Sequence, residues 1–156
     1  MKNTKIFKKY ILAVMLLVTL IFLIKIKSEK DTLQEKLDFI FTNSITESTV
    51  GLAMDYSKMR TEDKVQFYNQ TLINLKHALD VFNTTSYKKY DDLFMVLSKL
   101  YIYLLEIRNT SYDIAKPNYI YEFLSKILVY PDDNQTIKEF NEFLIDKLKV
   151  LRGIKQ

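Results

Sequence analysis

From Ile11 to Ile24 the chain reads ILAVMLLVTLIFLI, with no charge and a single Thr. Beyond Ser28 the pattern changes. Apolar positions then recur three and four residues apart, the repeat of an α-helix with one buried face. The change divides the chain into an N-terminal basic tail with a hydrophobic segment, residues 1–27, and a helical domain, residues 28–156.

Within the domain the periodicity predicts an up-and-down bundle of four or five helices. The first pattern runs over Glu29–Tyr56, capped by Ser28, with Leu33, Leu37, Ile40, Phe41, Ile45 and Leu52 inward. A Ser/Thr-rich run from Thr42 to Val50, followed by Gly51, predicts a break or bend there. The second covers Glu62–Phe82 behind a Thr61 cap. Its Val65, Tyr68, Leu72, Leu75, Leu79 and Phe82 form an unbroken stripe. The third covers Tyr87–Arg108 behind Ser86. Tyr90, Leu93, Leu97, Leu100, Leu104 and Ile107 form one stripe, and Phe94, Tyr101 and Leu105 a second. A helix apolar on two faces belongs at the centre of a bundle. The last two segments are Asn118–Tyr130 and a helix carrying Ile137, Phe140, Leu144, Leu148 and Leu151. Pro117 and Pro131 bracket the former, and Gly153 closes the latter. Short polar connections between the patterns favour antiparallel neighbours.

These fourteen residues, Ile11 to Ile24, span only about 21 Å as a helix, less than the roughly 30 Å of a hydrocarbon core. Extension over residues 6–26 gives 21 positions, with Lys8, Lys9, Lys25 and Lys27 able to reach the headgroups. A cleaved signal needs small residues after the core. The exit here, KIKSEKDTLQEK, offers only Ser28. The expectation is therefore an uncleaved, single-pass signal anchor, with Ile11, Leu12, Leu16, Leu17, Leu20, Ile21, Phe22, Leu23 and Ile24 in contact with lipid. Lysines balance on the two sides, so the positive-inside rule is silent. The short basic tail ahead of the apolar run resembles an export signal, and places the domain outside the cytoplasm.

Composition agrees with helices: two Gly and two Pro among 156 residues are too few for tight-turned sheets. Net charge is +4, yet residues 1–28 hold six lysines and no acid. Setting those six aside leaves 17 basic residues against 19 acids, a domain charge of −2. That argues against a nucleic-acid partner, which would need a basic patch on the folded part. There is no Cys, which excludes disulfides, thiolate metal sites and a cysteine nucleophile. The abundance of Lys, Asn, Ile, Phe and Tyr fits a bacterium with an AT-rich genome.

Candidate chemistry is sparse. His77 is the single histidine and has no ligand-spaced companion, which suits a surface residue. Gly51 and Gly153 lie too far apart for a phosphate-binding loop. The acidic pairs Asp91-Asp92, Asp132-Asp133 and Glu139 with Glu142 suit helix starts and turns better than calcium or acid–base work. No enzyme activity, cofactor or metal is expected. Four N-x-S/T sequons, from Asn69, Asn83, Asn109 and Asn134, follow from Asn and Thr abundance.

Tyr is enriched, with 11 residues, and compositional bias accounts for much of it. Where a partner surface exists, Tyr103, Tyr112, Tyr119 and Tyr121 are the candidates, because Tyr provides amphipathic contact area at little entropic cost. The leading expectation is a membrane-tethered, non-catalytic protein at the bacterial cell surface that presents a helical, Tyr-bearing face to a protein partner. A ligand-sensing or small-molecule carrier bundle is the second reading. A bundle tethered to the inner face of the membrane is the third. A homo-oligomer is compatible with all three.

Overall fold

The computed structural model describes residues 2–53, 58–108 and 114–153, with side chains from Tyr10 onward. Five α-helices account for nearly all of them: α1 Lys2–Leu52, α2 Thr61–Phe82, α3 Asp91–Arg108, α4 Pro117–Val129 and α5 Asn134–Leu151. A short 3-10 turn, Ser86–Lys89, precedes α3, and no strand occurs among the described residues. The protein is all-α, with a long apolar first helix followed by a helical bundle. It divides into two compact units, residues 1–36 and 37–156.

Unit 1 is helix throughout its described length. The residues from Tyr10 to Asp31 are all exposed. Its Thr19 hydroxyl donates to the Met15 carbonyl at 2.9 Å, so the one polar side chain of the apolar run is satisfied within the helix.

Unit 2 holds the core. Phe41, Ile45 and Leu52 of α1 are buried, as are Tyr68, Leu72, Leu75, Ala78 and Phe82 of α2. Phe41 meets Phe82 edge-on at 5.6 Å, and Ser48 reaches the Thr71 carbonyl, so the two helices run antiparallel. At Gly51 the two helices lie close together. A Cβ there would lie 1.9 Å from Thr71 Oγ1 and 3.1 Å from the Phe67 carbonyl oxygen. The pairing α2–α3 is antiparallel too: Phe82 packs on Phe94 at 5.2 Å, and the Tyr68 hydroxyl donates to the Leu104 carbonyl.

Beyond α3 the order in space departs from the order in the chain. Lys99 donates to Asn141 at 2.6 Å, and Arg152 to Glu106, so α5 lies parallel against α3. The pair α4–α5 is an antiparallel hairpin, with Phe123 stacked on Phe140 at 3.7 Å and Tyr119 edge-on to Phe143 at 5.1 Å. Helix α3 therefore sits between α2 and α5, as its two apolar faces require. Leu93, Val96, Leu97, Leu100, Tyr103, Leu104 and Ile107 are all buried.

Several local expectations are corrected. Helix α1 does not break in the Ser/Thr-rich run. Thr42, Thr46, Ser48 and Thr49 turn their hydroxyls back onto carbonyls three or four residues earlier, which satisfies them without leaving the helix. Ser28 caps nothing, because α1 continues through it. Leu33 and Ile40 face solvent; the buried face of α1 runs through Phe41, Ile45 and Leu52 instead. Arg60, not Thr61, occupies the cap position of α2, with its guanidinium on Asp63 at 3.0 Å. Thr85 caps the 3-10 turn by accepting the Tyr87 N–H, while the Ser86 N–H goes to Asp38 at 2.7 Å.

Other signals hold. Pro117 opens α4, and the preceding Lys116 takes a left-handed conformation, φ 50°. Gly153, φ 66°, follows α5. Asp133 caps α5, accepting the Thr136 N–H at 3.0 Å and the Thr136 hydroxyl at 2.8 Å, with Lys126 at 2.6 Å. These partners hold the Asp133 carboxyl well below its usual range, the Lys126 contact most of all. A depressed folded-state pKa adds stability above the unfolded value, about 3.9, and loses it as pH falls through the folded one. Asp133→Asn should therefore melt earlier than wild type at pH 7, and the gap should close as melts are repeated below about pH 4.

Candidate membrane segment and partner face

Residues 11–24 form a stretch of helix without a charge on any side. An amphipathic core helix buries one face and wets the other. Here Ile11, Leu12, Leu16, Leu17, Leu20, Ile21, Phe22, Leu23 and Ile24 are each exposed, from 43% at Ile11 to 64% at Leu16. The 18-residue window that defines the segment has none of its residues buried. By length and composition this helix can cross a membrane. At its end Lys25 approaches Glu29 at 3.8 Å, both well exposed, where the chain turns polar.

The candidate tyrosines part company. Tyr103 is a correction: it is 2% exposed, inside the core on α3. Its hydroxyl accepts the Ala115 N–H at 3.1 Å, and burial, opposed by that bond, pushes its pKa up. In the sequence Tyr101-Ile-Tyr103 the inward ring is Tyr103, while Tyr101 is half-buried at the edge. Tyr119 is half-buried against Phe140 and Phe143, with its hydroxyl raised by burial and then by Glu139. Tyr121 is 41% exposed. Tyr112 lies outside the described residues. A Tyr103→Phe substitution should leave the Ala115 N–H without its acceptor and cost about 1 kcal/mol in a thermal or denaturant melt.

Helix α4 explains the split. It buries Ile120, Phe123, Leu124 and Ile127 against the bundle. The opposite face carries Tyr121 and, two turns on, Val129, which is 65% exposed, with Tyr130 beside it. Val129 and Tyr130 were not among the sequence candidates. Their signal was present in the spacing, since Tyr121, Ser125 and Val129 follow one another at four-residue intervals out of phase with the core stripe. Tyr121 and Val129 are exposed on the outside of the bundle, with half-buried Ser125 between them and exposed Glu122 and Lys126 alongside.

His77 is exposed on α2. Among the described residues no three of His, Cys, Asp and Glu gather into a metal-binding group. Asp91 and Asp92 lie in the first turn of α3, where carboxylates oppose the helix dipole. Asp133 is occupied as a cap. Compared with protein families, curated proteins and solved structures, the chain finds no match.

Proposed function

We propose that this chain is a membrane-tethered, non-catalytic interaction protein of the bacterial cell surface. Its anchor crosses the membrane once, with the basic tail inside and the bundle outside. The outer face of α4 receives a protein partner. The observation that carries this reading is the exposure of Tyr121 and Val129 on a helix whose other face is committed to the core, with Tyr130 exposed just past its end. Aromatic residues that are exposed yet rigidly mounted are favoured anchors at protein interfaces. Confinement to a membrane raises the effective concentration of such a face toward a partner in the same membrane.

The absence of native cysteine makes a direct test simple. Single cysteines at Ser57 and Asn134 are labelled with a membrane-impermeant reagent, and photo-crosslinking residues are placed at Tyr121 and Val129, with Glu139 of α5 as the control position. Labelling in intact cells together with one discrete adduct from the two α4 positions, absent from Glu139, is the expected result. Labelling only after lysis would move the bundle to the cytoplasmic side. Equal adducts from α4 and Glu139 would remove α4 as the partner face.

A further inference from the structure

An open groove of about 460 Å³ separates α2 from α3 on a side of the bundle that the proposed partner face does not use. Leu72, Ile73 and Leu105 make its apolar surface, and Tyr101 and Asn69 add hydrogen-bonding groups. Its charged residues are Lys76, Asp80 and Arg108, with His77 beside them. Lys76 and Asp80 neutralise each other as an ion pair one helical turn apart. Arg108 has no ion pair among the described residues, so it supplies the uncompensated charge of the groove.

From this arrangement we propose that the groove binds a monocarboxylate with a compact apolar or aromatic body. The guanidinium of Arg108 takes the carboxylate, and the body lies along Leu72, Ile73 and Leu105. Three features select that class. A single cation without an ion pair among the described residues matches one negative charge, and the Lys76–Asp80 pair leaves no second free cation in the groove for another. A planar guanidinium offers paired donors in the geometry of a carboxylate. The volume falls within the usual range for small ligands, roughly 300–1,000 Å³, and is small for a folded partner. The bundle around the groove is net acidic, so the cation is a local exception rather than part of a general basic surface.

His77 gives the test its readout, since the imidazole signals of the full chain come from this one residue. The protein, in nanodiscs of zwitterionic lipid, is titrated with 4-phenylbutyrate and, separately, with 4-phenylbutanol, which keeps the body and lacks the charge. Wild type should show a saturable shift of the His77 ring signals with the acid, and binding of the alcohol should be about tenfold weaker. Arg108→Gln, an exposed substitution whose folding is checked by its melt, should weaken the acid by a similar factor and leave the alcohol unchanged. Nanodiscs doped with oleate form a further arm. A shift there without one from the soluble acid would identify a carboxylate drawn from the bilayer, the same chemistry from another source. No saturable shift from either acid, equal binding of acid and alcohol, or an Arg108→Gln variant that binds the acid as wild type does would each overturn the proposal.

Discussion

Lysine introduced at both Leu17 and Leu20 should release the chain from the membrane while leaving its bundle folded. Both positions lie near the middle of the apolar run, out of reach of either headgroup layer by snorkelling. Each lysine at a helix centre costs about 2.5–3.5 kcal/mol of insertion, so the pair costs about 5–7 kcal/mol. That is a shift of about four orders of magnitude in partition, enough to empty the alkali-washed membrane pellet. The bundle should scarcely notice, because none of the window is buried. The melt of residues 37–156 within the full chain should move by less than about 0.5 kcal/mol. Lys25→Ala, at the polar end of the segment, should stay in the pellet. A double-lysine variant that still resists alkali would mean that something other than this helix holds the protein.

What could be read from the sequence followed from how each signal works. Stripes that are long, apolar and regular, such as Tyr68 to Phe82 and Leu93 to Ile107, name their buried face directly, because burial is the reason for their spacing. Pro117 and Gly153 were legible because backbone geometry leaves few alternatives to those residues. The first helix was harder. Leu33 and Ile40 share the spacing of a core stripe, yet α1 enters the core through Phe41, and apolar spacing alone does not say where a neighbour begins. The Ser/Thr run was misread because Ser and Thr weaken helices on average, while here their hydroxyls fold back onto the preceding turn. The tyrosines divided for a different reason. Residue type says that a ring is amphipathic, and only the phase within the helix says which end is wet. Tyr103 shares the phase of Leu100 and Leu104, so it was core by the same rule that placed them. The order α2–α3–α5–α4 in space was not legible at all, since a loop length gives chain reversal but not the face on which the next helix lands.

Loss of the Phe140 ring is expected to cost the bundle more than any surface change, and to remove the partner face along with it. Phe140 is 0% exposed and is the hub of the α4–α5 hairpin: Phe123 stacks on it, and Tyr119 and Phe143 pack at 5.7 Å each. Truncation to alanine removes the buried ring and leaves a cavity that the rigid neighbours can only partly close, a loss of about 3–5 kcal/mol. Against a domain stability of about 5–15 kcal/mol that is a large fraction. The damage should be local before it is global. Helix α4 is 13 residues, too short to hold in water by itself, and its register depends on Phe123 finding Phe140. Amide exchange in Phe140→Ala should therefore rise first along Pro117–Val129, while α2 and α3 keep their protection. Tyr121→Ala is the complementary variant. It removes an exposed ring and should leave the melt within about 0.5 kcal/mol of wild type, yet reduce cross-linking from Val129 if α4 is the partner face. An α4 that kept full protection in Phe140→Ala would show that Ile120, Leu124 and Ile127 suffice to seat it, and the stacked pair would then be ordinary packing rather than the pin of the hairpin.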